Sequence, residues 1–178
     1  VSPTTHPKRG KVDMKKLLSV IFLVLLLGAC SLFNRMPEKM PDDFDFSVQF
    51  GVNKNNEINT YDGTVTKDLI EDGKVTANIT FSNEEKEFIY EMMKEINIIE
   101  NKKLTPSFLK QNCFQEPHED DRWKITMNGE TYTYDISGVY CEPSEDAKEL
   151  IELRNEIFRI VKEKQAYQEL PDAKGGYD

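Results

Sequence analysis

The chain has 178 residues, enough for one domain, with 32 acidic and 23 basic side chains and a formal net charge of −9. That balance excludes nucleic acid as a partner, because phosphate binding needs clustered Lys and Arg. It also excludes adhesion to an anionic lipid surface by charge alone.

Val1 to Asp13 is polar and carries one of the two histidines, His6. Such a stretch seldom precedes the positive start of a signal segment, so Met14 is expected to be the true initiator, with residues 1–13 a mis-assigned or vector-derived extension. Met14-Lys15-Lys16 then opens a short positive region, and Leu17 to Leu27 is apolar except for Ser19. Gly28-Ala29-Cys30 comes next. A charged start, an apolar core of roughly 7–15 residues and a small-residue end are the parts of a secretory signal. The apolar run is too short for a membrane span, which takes about 20 residues.

Leu27-Gly28-Ala29-Cys30 resembles the lipobox of bacterial lipoproteins, with Gly28 where Ala or Ser is commoner. With the short Met14-Lys15-Lys16 start and a body rich in Lys, Asn, Ile and Glu, the chain is similar to lipoproteins of low-GC Gram-positive bacteria. The resemblance covers Met14 to Cys30. It implies cleavage of a 14–29 signal peptide between Ala29 and Cys30, and a diacylglyceryl thioether on the Cys30 sulfur. It also implies that the remainder is anchored to the extracytoplasmic face of the cell membrane. Two acyl chains hold stably where one does not, each buried CH₂ contributing roughly 0.8 kcal/mol. Residues 1–29 hold five basic side chains and one acid, so the remainder, with 18 basic and 31 acidic, would carry −13.

From Cys30 to Asp43, Pro37, Pro41 and mixed charges with no apolar period read as a tether. Residues 44–170 read as a single α+β domain. Phe44, Phe46, Val48, Phe50 and Val52 alternate with smaller or polar residues as a half-buried strand. Ile58 to Leu69 reads as a return strand, interrupted at Asp62-Gly63. Asp72-Gly73 marks a hairpin, after which Val75, Ala77, Ile79 and Phe81 alternate again. Ser82 and Glu85 form a capping box ahead of a helix with Phe88, Ile89, Met92, Met93 and Ile96 on its apolar face. About two dozen residues of loop (98–121) come after it. Trp123, Ile125 and Met127 lead into Asn128-Gly129, a type I′ turn pair, and Tyr132, Tyr134 and Ile136 return. Pro143-Ser144 starts the last helix, with Ala147, Leu150, Ile151, Ile157, Phe158 and Val161 on its buried face. The order β-β-β-α-β-β-α predicts an antiparallel sheet of about five strands with two helices on one face. Pro171 to Asp178 reads as a flexible tail.

Cys113 and Cys141 flank the Asn128-Gly129 hairpin, and an antiparallel hairpin brings such positions together at its open end. On the oxidising side of a membrane this even pair is expected to be a disulfide, the alternative being two free thiols. The C-x-x-C spacing of thiol redox chemistry is absent.

His118 sits in Glu116-Pro117-His118-Glu119-Asp120-Asp121, a segment offering one nitrogen and several carboxylates to a cation. The spacing fits no EF-hand, and no second His or third Cys completes a zinc site. His118, Glu119, Asp120 and Asp121 are therefore weak metal candidates, and no metal or other cofactor is expected. No G-x-S-x-G elbow, P-loop or dinucleotide fingerprint occurs. Acids are so frequent that no carboxylate pair stands out for glycoside hydrolysis. Trp123, Tyr132 and Tyr134 read as core more readily than as binding anchors. That leaves Lys124, Thr126, Thr131 and Thr133 as a polar sheet face able to receive a partner. The expected function is a non-enzymatic, membrane-anchored module binding an envelope protein or peptide. The alternative is a small envelope enzyme or metal-binding protein using His118 and the neighbouring acids.

Overall fold

A computed structural model describes residues 35–177. Residues 1–13, the 14–29 signal segment and the lipobox with Ala29 and Cys30 lie outside the described residues. Among those described, no helix is long and apolar enough to cross a membrane.

The body, Met36 onward, is α+β. Strands β1 (Asp45–Phe50), β2 (Asn56–Asn59), β3 (Thr64–Asp68) and β4 (Lys74–Asn78) precede helix α1 (Asn83–Glu95). Then come β5 (Asp120–Met127), β6 (Glu130–Ser137), α2 (Glu145–Lys162) and a short α3 (Gln165–Gln168). Among the described residues, the six strands form one antiparallel sheet in the order β4-β3-β2-β1-β5-β6. The count is six because Ile58 to Leu69, expected to be one interrupted strand, contains the hairpin of β2 and β3. The chain reverses at Thr60–Gly63, where Ile79 N–H bonds to the Gly63 carbonyl at 2.9 Å.

Alternation decides which face is buried. Phe46, Val48 and Phe50 of β1, Ile58, Val65, and Trp123, Ile125 and Met127 of β5 are all buried. They pack in one cluster with Ile89, Tyr90 and Met93 of α1 and Ala147, Leu150, Leu153, Ile157 and Val161 of α2. Each large apolar side chain so buried contributes roughly 1.5–3 kcal/mol. Opposite, Ser47, Asn59, Thr66, Lys124 and Thr133 line a polar face, partly tied together by the Thr66–Thr76 and Thr126–Thr131 hydroxyl pairs at 2.9 and 3.0 Å.

Both helices start as the sequence indicates. The Ser82 hydroxyl accepts from Glu85 N–H at 3.2 Å while the Glu85 carboxylate accepts from Ser82 N–H at 2.7 Å. Ser144 caps α2 by accepting from Ala147 N–H at 3.2 Å. The apolar face of α1 is rotated from expectation: Phe88 is 52% exposed and Tyr90 is buried. The cause is the segment expected to be tether. Tyr90 donates its phenol to the Pro37 carbonyl at 2.7 Å, Met36 is buried, and Lys94 donates to the Glu38 carbonyl at 3.2 Å. Asp43 then accepts from the Asn128 and Gly129 amides at 2.8 and 2.6 Å. These bonds, the Gly129 amide's above all, hold its carboxyl below the ordinary range. Residues 36–43 thus belong to the folded body, and any free tether ends before Met36.

The tail differs too. Lys174 makes a parallel bridge with Ile70, its N–H bonding to Leu69 O at 3.2 Å and its carbonyl accepting from Glu71 N–H at 3.3 Å. Tyr177 donates its phenol to the Asp68 carboxylate and accepts from Asn55 at 3.0 Å. Deleting residues 171–178 should therefore cost on the order of 1–3 kcal/mol, from two backbone hydrogen bonds and the phenol contact. It should lower the melting temperature by several degrees. A thermal melt superimposable on that of the intact chain would show the tail to be dispensable.

Candidate functional site

The loop from α1 to β5 and the end of β6 meet around Cys113 and Cys141, which form a disulfide with Cα atoms 5.4 Å apart. The hairpin ladder reaches this point: Gln115 N–H bonds to Val139 O at 2.9 Å, and Cys141 N–H to Cys113 O at 3.2 Å. The ladder thereby brings the two sulfurs together. Between them and the sheet, residues 116–119 bulge out, with a cis Glu116–Pro117 peptide. Gly138 lies against this bulge, and a Cβ there would overlap the Glu119 carbonyl oxygen. Only glycine lets the two segments come this close.

The bulge forms one wall of a cleft of about 350 Å³ lined by Gln115, Pro117, His118, Tyr140, Pro143 and Ile151, together with Asp121 and Arg154. Asp121 is the first core-facing position of β5 and is 3% exposed, and Arg154 of α2 is 8% exposed. Arg154 Nε donates to Asp121 Oδ2 at 3.1 Å. Its guanidinium lies 5.0 Å from the centre of the Phe50 ring and 3.6 Å from the Glu119 carboxylate. Burial is the strongest influence on Asp121 and pushes its carboxyl up to about 6, with the Arg154 charge pulling the other way.

The four weak metal candidates do not converge. Strand alternation sends Asp121 into the core and Asp120 to the other side, where it takes Lys54 Nζ at 3.1 Å and the Gly138 amide at 3.2 Å. Burial alone would raise the Asp120 carboxyl, but these partners hold it below its ordinary value. His118 directs Nδ1 at Glu116, 3.0 Å away, and Nε2 at Asp120, 3.5 Å away. Among the described residues, the polar contacts of the His118 ring are these two carboxylates. Among the described residues, no group of three or more His, Cys, Asp or Glu is arranged to hold a metal ion. A larger cavity, about 600 Å³, lies between residues 38–42 and α1. Lys39 and Lys86 line it together with Glu38, Asp42, Glu87 and Glu91, and Lys86 is bound to Asp45 at 3.0 Å.

Arg154 is the residue that sequence reasoning missed. The buried stripe Ala147, Leu150, Ile157, Val161 contains position 154 at helical spacing, and Trp123, Ile125, Met127 extrapolates back to Asp121. Two opposite charges on two core faces predict each other, because an unpaired buried charge is too costly. Comparison with family models, curated proteins and solved structures finds no match for this chain.

The buried pair can be broken from either side. Arg154→Leu leaves a buried, unpaired carboxylate and should cost about 3–5 kcal/mol at pH 8, with a smaller loss at pH 5, where Asp121 takes a proton. Because the folded pKa of Asp121 lies above the unfolded value near 3.8, its contribution is fully present below pH 3.8 and is lost as pH rises through about 6. Relative to Asp121→Asn, the native protein should lose about 2–3 kcal/mol in denaturant unfolding between pH 4 and 7, and a pH-independent difference would refute the buried titration. For the disulfide, closing a loop across a separation of 28 residues stabilises by roughly 3–4 kcal/mol. The Cys113→Ser, Cys141→Ser double variant should melt roughly 10 °C lower; an unchanged melt would remove the disulfide from the account of stability.

Proposed function

We propose that this chain is a lipoprotein: a small acidic body anchored through Cys30 to the extracytoplasmic face of a membrane, where it works as a non-enzymatic binding module for an envelope protein or peptide. The observation that carries the anchor is the run from Met14 to Cys30, a positive start, an eleven-residue core and Leu27-Gly28-Ala29-Cys30 in that order. The Cys113–Cys141 disulfide supports it, since such bonds persist on the oxidising side of a membrane.

The binding reading is supported by saturation of the cleft. Asp121 and Arg154 neutralise one another, and the His118 ring faces the carboxylates of Glu116 and Asp120. The polar sheet face offers Lys124 and the rows of threonines, groups suited to hydrogen-bonded recognition rather than apolar docking.

Cys30→Ser should abolish incorporation of labelled fatty acid, leave the signal uncut at Ala29, and remove the mature-sized protein from the detergent phase on Triton X-114 partition. Retention of label or of a processed N-terminus in the serine variant would overturn the lipoprotein assignment, whatever the body binds.

A further inference from the structure

Among the described residues, the three most exposed large apolar side chains lie in one segment. Phe108 is 84% exposed, Leu109 82% and Phe114 64%. Exposed apolar groups gathered in one place mark a surface that meets a membrane or another molecule. The segment is braced. Phe108–Lys110 is a single 3-10 turn, closed by Lys110 N–H on Ser107 O at 2.8 Å and Gln111 N–H on Phe108 O at 3.3 Å. The Gln111 side chain donates to the carbonyl of buried Pro106 at 2.8 Å, and Cys113 is tied to Cys141. The fold therefore holds Phe108 and Leu109 outward on a fixed tip.

Its charge departs from that of the rest. Asn101 to Gln115 holds Lys102, Lys103 and Lys110 and no acid, the longest acid-free run after Cys30 in a chain of net charge −9. Lys102 is tied to the body, donating to Ile96 O at 2.6 Å and to Glu149 at 3.2 Å. Lys103 and Lys110 are exposed on either side of the tip, Lys110 lying 3.6 Å from Glu142. Lysines flanking an apolar tip suit a bilayer, where the apolar groups enter and the ammonium groups stay at the level of the phosphates. The segment also begins where the chain enters the body. Asn97, just past the end of α1, accepts from Met36 N–H at 3.3 Å, and Lys103 N–H donates to Asp146 in the first turn of α2 at 2.6 Å. Entry point and tip thus both belong to the helix layer, on the other side of the sheet from Lys124 and the threonine rows. From Cys30 to Met36 the extended chain spans at most about 20 Å.

We propose that this tip is a second membrane contact: Phe108 and Leu109, with Phe114 behind them, enter the headgroup–acyl boundary of the bilayer that holds Cys30. The inference rests on the Cys30 anchor proposed above, and the length of chain outside the body selects the occupant. A link of about 20 Å keeps the start of this segment at the bilayer for as long as Cys30 is acylated, so lipid meets the tip at high effective concentration. The acidic body cannot be held against a lipid surface by its charge, whereas burial of large apolar side chains can hold it. The consequence is orientation. An anchor alone is one point about which the body turns. Anchor and tip together are two, and they direct the helix layer to the membrane and the polar sheet face away from it.

The full acylated chain reconstituted in phosphatidylcholine vesicles, with tryptophan as reporter, provides the test. The native Trp123 is fully buried, so the difference between variant and native emission reports the added ring. Phe108→Trp should emit at shorter wavelength than Thr133→Trp on the polar face, and lipids brominated near the headgroup end of the acyl chain should quench it about threefold more strongly. The double variant Phe108→Asp, Leu109→Asp should melt as the native protein does, because both side chains are exposed. It should still float with the vesicles, yet lose the bromolipid quenching of a Phe114→Trp reporter. Vesicles that carry the protein but quench the reporters at 108 and 133 alike would overturn the insertion and leave the anchor standing. A chain that fails to float with the vesicles would overturn both. Blue-shifted emission from the 108 reporter without bromolipid quenching would put protein on the tip, a second copy included, and overturn the bilayer as its occupant.

Discussion

The fold depends on one long-range pairing, β1 against β5. Residues far apart in the chain, Phe46 beside Ile125 and Val48 beside Trp123, must align before the first four strands and the last hairpin share a sheet. The hairpins themselves are local: β2–β3, β3–β4 and β5–β6 each close through short turns. Loop-closure entropy opposes the β1–β5 contact and has to be offset by burial. Phe46, Val48, Trp123 and Ile125 are all fully buried on the helix side of that seam. A slip of one residue would turn each of them to the polar face, so the apolar pattern fixes the register as firmly as the hydrogen bonds do.

The Asp121–Arg154 pair lies at the far end of the same seam. Replacing such a pair with apolar residues is often neutral or stabilising, so its presence is weak evidence for stability. What it supplies is alignment. Arg154 is confined between the Asp121 carboxylate and the Phe50 ring, fixing α2 along its axis against both strands of the seam. An apolar side chain at 154 would tolerate sliding by a turn, whereas a guanidinium with one carboxylate would not. Two wall segments of the cleft beside it, at Gln115 and Tyr140, adjoin the disulfide that joins residues 113 and 141.

Much of this is legible in the sequence, for identifiable reasons. The alternating strands, the capping box at Ser82 and Glu85, the Asn128-Gly129 turn and the pairing of Cys113 with Cys141 are local or nearly local signals. The β2–β3 hairpin reads as one interrupted strand although Asp62-Gly63 is the same turn dipeptide as Asp72-Gly73, because the flanking strands are only four and five residues long and show little alternation of their own. Residues 36–43 and 171–177 read as loose because no period marks them. Their order comes from contacts that composition does not encode, such as the Tyr90 phenol on Pro37 O and the Tyr177 phenol on Asp68. Arg154 escapes notice because a charged residue inside an apolar stripe looks like a gap in the pattern. It becomes meaningful only beside the equally misplaced Asp121.

The clasping of residues 36–43 bears on how the body would be held. Between Cys30 and Met36 the chain can span at most about 20 Å, so on the proposed anchor the body stays close to the bilayer. Met36 to Asp43 runs along α1 to the Asn128-Gly129 turn, which brings the chain into the body on the helix side of the sheet. The polar face lies on the opposite side of the sheet from that entry, which leaves Lys124 and the threonine rows clear of residues 36–43.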